Sequence, residues 1–204
     1  MDLYLIRHGA CCDSTAEFYD DEKRTMNPPL TEKGVEQAQK LAERCKGIRL
    51  NAVYSSDLLR ALQTSQIIAS TVKCGLSVSP ALREIDMGDI YKKSWDHYPE
   101  LFAKWVLHRE DIPYPNGENG ADVWKRCSAL LLQIVQEPHE KIAIVAHGGT
   151  IRSIVCGALG IAQQKRFLFG APPENCSITV MKYIEAENQY FLYTFNDFSH
   201  LKTI

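Results

Sequence analysis

The stretch LYLIRHGA, Leu3 to Ala10, opens with the β-branched and apolar run of a buried strand and stops abruptly on Arg7, His8 and Gly9. The same grammar returns in KIAIVAHGGT, Lys141 to Thr150. There Ile142–Ala146 is the strand and His147, Gly148 and Gly149 follow it into a helix. In parallel sheets ligands bind beyond the carboxyl ends of the strands, and both histidines fall at that edge. Glycine after histidine lets backbone approach a ligand, and the Gly148–Thr150 helix entry offers N–H groups to an anion. Arg7 adds a fork of donors matched to phosphate oxygens. A third strand end, Ala52–Ser55 in VYSSDLLRALQTS, sends Arg60 into the first turns of a helix at the same edge.

Around these strands the pattern is α/β. Helical periodicity runs through TEKGVEQAQKLAERC, where Val35, Ala38, Leu41, Ala42 and Cys45 share a face. It recurs over Asp57–Ser70, Trp95–His108, Asn119–Gln136 and Thr150–Leu159. Asn119 with Asp122 three residues on reads as a helix N-cap. Ser177–Ile184 and Gln189–Phe195 flank a polar turn and read as an antiparallel hairpin. Strands alternating with helices predict one α/β domain over residues 1–204 with a largely parallel sheet. The irregular, aromatic stretch 86–120 is expected to be a covering insert.

Composition narrows the function classes. The 204 residues carry 23 basic and 25 acidic side chains, a net charge of −2, with no basic run to serve as a nucleic-acid footprint. No apolar run approaches the roughly 20 residues of a spanning helix, and no secretory leader is visible. Seven cysteines, without framework spacing, read as free thiols of a reducing cytosol. A cytoplasmic protein acting on a small molecule, with neither nucleic acid nor membrane as partner, is the expectation.

One strand-terminal histidine is ordinarily a satisfied structural residue, and one arginine an ion-pair partner. Two of each at one sheet edge point to an anion site. A neutral imidazole can attack a phosphate monoester, giving a phosphohistidine while guanidinium and N–H groups hold the equatorial oxygens. The departing alkoxide needs a proton, for which Glu84 in LREIDMG is the first choice, with Asp86 and Asp89 as rivals. No cofactor is called for. The CxxC and HExxH patterns of metal sites are missing, as is the GxxxxGK[ST] phosphate loop. None of the cysteines has the arginine six positions on that a cysteine phosphatase requires. Arg152 reads as a structural ion pair, and Arg83 could be one. His97, His108 and His139 read as solvated, with His200 at the pocket rim.

LIRHGA, PLTEKGVEQA, YSSDLLRALQT, LREIDMG, PNGE, IVAHGGTIR and FNDFSHL, in that order from Leu3 to Leu201, resemble the histidine phosphatase superfamily, also called phosphoglycerate mutase-like. The resemblance implies a three-layer α/β/α fold and His8 as the phosphorylated nucleophile. Arg7, Arg60, His147 and the N–H of Gly148 would complete the phosphate pocket, and Glu84 would be the proton donor. The sequence departs from the family at Ala10, Cys11 and Ser14, where Glu or Gln, Thr and a phosphate-touching Asn are usual; Ser14 would offer a single hydroxyl there. The length and the closing FNDFSHL resemble broad-specificity phosphomonoesterases and α-ribazole phosphatases. A cofactor-dependent phosphoglycerate mutase is the alternative, although only 62 residues separate Glu84 from His147. A non-catalytic phosphate-binding member is the other.

Overall fold

In the computed structural model residues 1–13 and 15–202 are described. Strands β1 (Asp2–Arg7), β2 (Tyr19–Asp20) and β3 (Thr25–Met26) precede helix α1 (Glu32–Ile48). Then come β4 (Ala52–Ser55), α2 (Leu59–Val72), β5 (Gly75–Val78), α3 (Pro99–Trp105) and α4 (Gly120–Ile134). The chain continues through β6 (Lys141–Ala146), α5 (Gly148–Ala158), β7 (Ile178–Ile184) and β8 (Gln189–Asp197). Six strands form one sheet in the order β5-β4-β6-β1-β7-β8, and β2 with β3 makes a separate small ribbon. Only β7 runs against the others, so the sheet is mixed and mostly parallel.

Both faces of the sheet are covered, which explains why β1 and β6 read as continuous apolar runs. On one face Leu3, Leu5, Ile142 and Ile144 pack with Val123, Leu131 and Ile134 of α4 and Ile151, Ile154 and Val155 of α5. On the other, Ile6, Val53 and Val145 pack with Ala38, Leu41 and Cys45 of α1 and Ala61 and Ile68 of α2. The result is the expected three-layer α/β/α arrangement. Helix starts follow local chemistry. The Thr31 hydroxyl accepts from Gly34 N–H at 3.1 Å, and Asn119 and Asp122 form a reciprocal capping box at α4. Each such cap contributes about 1 kcal/mol.

Differences from the sequence reading lie away from the two histidine strands. β5 escapes the reading because it is a four-residue edge strand whose side chains are mostly exposed. The single helix expected over Trp95–His108 is instead a short 3-10 turn at Trp95–His97, a break at Tyr98, and α3 with Pro99 at its first position. Proline tolerates only a helix start, so it resets the helix there. His108 is not solvated: its ring stacks on Phe167 with centroids 3.8 Å apart, beside Trp105.

Candidate active site

Parallel pairing of β1 with β6 puts Arg7 opposite Ala146, so His8 and His147 leave the sheet side by side. His8 N–H donates to the carbonyl of Ala146 at 3.1 Å, and the imidazole centroids are 5.1 Å apart. His8 is 5% exposed and His147 fully buried. The loop after His8 is fixed on several sides. Gly9 N–H donates to Thr64 Oγ1 at 3.1 Å, and Ala10 N–H to Gln37 Oε1 at 2.8 Å. The Gly9 and Gly34 backbones are so close that a Cβ on Gly34 would sit 1.9 Å from the carbonyl oxygen of Ala10. Glycine is required in both places by this contact.

Hydrogen bonds fix the proton on each ring. His8 Nδ1 lies 2.7 Å from the carbonyl oxygen of Gly9, which can only accept, so Nδ1 carries the hydrogen. Nε2 is left with its lone pair, and Arg60 Nε–H donates to it at 3.2 Å. Arg60, on the first turn of α2, also donates to the carbonyl of Met26 at 2.8 Å. His147 Nε2 lies 2.9 Å from Ser56 Oγ. Ser56 Oγ accepts from Leu58 N–H at 3.3 Å, and among the described residues His147 Nε2 is the one acceptor within reach of its own hydrogen; giving it there satisfies the hydroxyl and leaves Nδ1–H on His147 as a donor. That nitrogen is buried without a partner, as is Arg7 Nε. Buried polar atoms left this way call for an explanation, and beside a neutral imidazole and two guanidinium groups a bound anion supplies one. Burial, then Arg60 and Arg7, pushes His8 well below the usual imidazole range, and burial, Arg60 and His8 do the same to His147. Both rings are therefore neutral at neutral pH.

Arg7 Nη1 donates to the carbonyl of Pro173 at 2.5 Å, and a Cβ on Gly148 would lie 3.7 Å from Arg7 Nε, so Arg7 flanks the start of α5. Glu84 sits on that same helix end. Its Oε1 accepts from Ile85 N–H at 2.9 Å and Thr150 N–H at 3.1 Å, and its Oε2 from Gly149 N–H at 3.2 Å. Among the described residues the N–H of Gly148 has no acceptor. Asp57 anchors the loop that carries Glu84 to the start of α2 through two bonds to Arg83, at 2.8 and 2.5 Å. Arg83 is thus a structural ion pair. Glu84 lines a cavity of about 220 Å³ together with Lys23, Thr25, Arg83, Asp86 and Arg126.

The structure brings Arg7, His8, Arg60, Glu84, His147 and Gly148 around one point. Ser14 lies outside the described residues. Asp86 lines the cavity beside Glu84 without reaching the start of α5, accepting from Gly88 N–H at 2.7 Å, with burial raising its carboxyl above the usual range. Asp89 binds Lys93 and Tyr98 instead. His200 is tied to Arg44 of α1 at 3.0 Å rather than to the pocket. Arg152, expected to be an ion pair, has no carboxylate partner among the described residues. Cys11 is half-buried within the field of Arg60 and Arg7, and burial raises its thiol. Sequence reasoning missed Ser56 and Thr64, whose only trace is their place at a strand end and on an α2 turn. No group of three or more His, Cys, Asp or Glu among the described residues could hold a metal.

Comparison with known proteins agrees with this geometry. A probable phosphoglycerate mutase GpmB of Proteus mirabilis is 32% identical over 215 residues, which span 100% of this chain and 96% of the relative. Among solved structures, mycobacterial glucosyl-3-phosphoglycerate phosphatase with inorganic phosphate superposes with a TM-score of 0.81 at 24% identity, covering 98% of this chain and 99% of that one. Phosphoserine phosphatase from Entamoeba histolytica, in complex with 3-phosphoglyceric acid, gives 0.78 at 25% identity, with 98% and 99% covered. Bacillus stearothermophilus YhfR gives 0.80 at 26%, again over 98% and 99%. Residues 3–196 match the histidine phosphatase superfamily (branch 1). Taken with the paired histidines and arginines at one sheet edge, these matches make the chain a histidine phosphatase of that superfamily.

Proposed function

We propose that the protein hydrolyses a small phosphate monoester in two steps through a phosphohistidine on His8. The carrying observation is the proton arrangement. His8 holds a lone pair on Nε2 because Gly9 O claims Nδ1–H, while His147 Nδ1 and Arg7 Nε stand buried without partners. An incoming phosphoryl group takes the donors of Arg7, Arg60, His147 and the Gly148 N–H, which releases Nε2 from Arg60. Nε2 then forms the N–P bond, the P–O bond to the alkyl group breaks, and Glu84 gives its proton to the departing oxygen. Water next attacks phosphorus as the N–P bond breaks and its electron pair returns to Nε2; one water proton goes back to Glu84, and phosphate leaves with His8 neutral again. The fixed positive groups stabilise charge as it develops, which is where most phosphoryl-transfer catalysis lies.

Residues 86–120, in this reading, cover the leaving-group side of a single domain of residues 1–204. Seven free cysteines are in keeping with a reducing, cytoplasmic location, and no helix among the described residues is long and apolar enough to cross a membrane. The names of the Proteus relative and its kind favour a second reading, a phosphoglycerate mutase, in which a phosphorylated acceptor rather than water takes the phosphoryl group. One experiment addresses both. Mixing with a ³²P-labelled ester and quenching in base traps an acid-labile, base-stable label. The label is expected on His8 and is expected to vanish in His8→Ala. Label retained in that variant overturns the nucleophile. Release of inorganic phosphate without isomerised ester marks a phosphatase; isomerised ester without release marks the mutase.

A further inference from the structure

We propose that Tyr91 is a positioning residue of the reaction, its hydroxyl joining the backbone that supports Arg60 to the loop that carries Glu84. The group that holds the phosphoryl oxygens and the group that supplies the proton thereby keep a fixed separation. The inference rests on the reading above, in which Glu84 is the acid for phosphoryl transfer to His8.

The connection is continuous from one group to the other. Arg60 Nη1 donates to the carbonyl of Met26, in β3, at 2.8 Å. Thr25, the residue before it, is buried, and its Oγ1 lies 2.8 Å from Tyr91 Oη. Tyr91 Oη lies 3.3 Å from the carbonyl oxygen of Ile85, whose own N–H donates to Glu84 Oε1 at 2.9 Å. Chemistry sets the direction of each bond. A carbonyl oxygen can only accept, so the phenol gives its hydrogen to Ile85 and accepts from the Thr25 hydroxyl. With the hydrogens reversed, Tyr91 and Ile85 would meet lone pair to lone pair. Burial raises the phenol above its usual range, against the opposing bond from Thr25, so it stays a donor near neutral pH.

The Glu84 loop needs such a tie. Residues 84–87 belong to neither helix nor strand, so hydrogen bonds from neighbouring elements set where the carboxyl stands. Arg126 of α4 donates to the carbonyl of Glu84 at 3.2 Å, and Glu118, just before α4, accepts from Asp86 N–H at 3.0 Å. Arg83 reaches Asp57 at the start of α2. Among the described residues no hydrogen bond runs directly from β2 or β3 to residues 83–87, so the Tyr91 hydroxyl makes that link. Its ring is held separately, edge-on to Tyr19 of β2 with centroids 5.9 Å apart. Removing the hydroxyl alone therefore leaves the packing in place. Thr25 and Glu84 line the same 220 Å³ cavity, so the bridge runs along the wall of the space beside the acid. A general acid works within about 2.6–3.2 Å of the oxygen it protonates, and a displacement of about 1 Å can cost about a hundredfold.

Tyr91→Phe, followed by single-turnover rapid quench on sn-glycerol 3-phosphate and nitrophenyl phosphate, separates the two ends of the bridge. Loosening Arg60 slows phosphorylation by both esters and weakens vanadate binding, each about two- to tenfold, the range of one hydrogen bond. Displacing Glu84 slows the glycerol ester by about a further tenfold or more, because only its alkoxide needs the proton. Thr25→Val breaks the bridge at its other bond, whereas Thr25→Ser keeps the hydroxyl and the unaltered values. Vanadate affinity in the Thr25→Val, Tyr91→Phe double variant is expected to fall no further than in either single variant. Unchanged affinity in Tyr91→Phe, or losses that multiply in the double variant, overturn the proposal. Glu84→Gln, measured alongside, tells the two ideas apart. If Glu84→Gln discriminates between the esters and Tyr91→Phe does not, the bridge is refuted and the acid stands. Equal losses on both esters in both variants refute the acid role of Glu84 and the bridge with it. A protein that takes phosphate from neither ester refutes the reading above, and the vanadate cycle then decides the bridge by itself.

Discussion

Replacing Glu84 by Gln removes the proton but keeps the shape, and the expected damage depends on the leaving group. In the structure Oε1 takes the N–H groups of Ile85 and Thr150, while Oε2 takes only that of Gly149. Thr150 Oγ1, 3.2 Å from Oε1, spends its hydrogen on the carbonyl of Arg83 at 2.7 Å. Oε2 therefore keeps a lone pair for the proton that is donated. A glutamine carbonyl in place of Oε1 preserves both its bonds, whereas the amide nitrogen in place of Oε2 faces the Gly149 N–H donor to donor. Losing that one bond costs about 0.5–1.5 kcal/mol, a two- to tenfold effect common to every substrate. Losing the acid costs a further 10²–10⁴-fold, but only where the departing oxygen needs a proton. Alkyl phosphates therefore lose roughly 10²–10⁵-fold and nitrophenyl phosphate roughly tenfold or less. Single-turnover rapid quench with enzyme in excess isolates the phosphorylation step, so that slow dephosphorylation does not mask the contrast. The ratio of the two losses cancels the structural part. Equal losses on both esters would remove Glu84 from the acid role and direct attention to Asp86.

Ser56→Ala leaves His147 Nε2 without its donor and favours the tautomer with Nδ1 as acceptor, so vanadate affinity falls about tenfold or more while Ser56→Thr retains most of it; unchanged titration curves in Ser56→Ala refute the proton assignment. Because burial and Arg60 depress His8, the acid limb of kcat/KM falls below pH 6.5, and an acid limb with its midpoint above that value contradicts a neutral His8. The same depression works on stability: the unfolded chain binds protons below about pH 6.5 that the buried rings refuse, so thermal midpoints drop as pH falls through that value and the decline stops only below the folded pKa. Gly34→Ala pushes a methyl into the Ala10 carbonyl, and calorimetry is expected to show more than about 2 kcal/mol of destabilisation together with weaker phosphate binding. Turnover survives exhaustive EDTA treatment, since guanidinium and imidazole donors surround the phosphate; loss restored by Mg²⁺ or Zn²⁺ would expose a metal requirement.

The histidine strands were legible because burial on both faces imposes an apolar run, and a His-Gly ending to such a run has few structural explanations. Arg60 was legible only through its distance from the end of β4. What the sequence hides is partnership. Arg152 looks like any helical arginine until the absence of a carboxylate beside it is seen, and Asp57 and Arg83 disclose their pairing only once the loop carrying Glu84 is laid against α2. Ser56 is a common residue in a common place, and its control over His147 depends on a 2.9 Å contact across 91 positions of sequence. β5 was invisible because an exposed edge of four residues has no hydrophobic alternation to show. At Tyr98 the helical period continued through a break that the following proline should have signalled.

Strand β1 is made of residues 2–7, yet its two neighbours in the sheet are residues 141–146 and 178–184. On a ribosome the strand that ends at His8 emerges well before both its partners, which follow it by more than a hundred residues. Until β7 is released, the apolar Leu3, Leu5 and Ile6 cannot be sealed from solvent, and His8 has no neighbour at position 147. Pairings of such long sequence separation are reached slowly, because the loop must close before the contacts reward it. Chemistry in this enzyme is therefore among the last properties that biosynthesis confers. A chain interrupted anywhere before the hairpin is a stretch of unsatisfied strand for chaperones to hold, with none of the reactivity of the finished pocket.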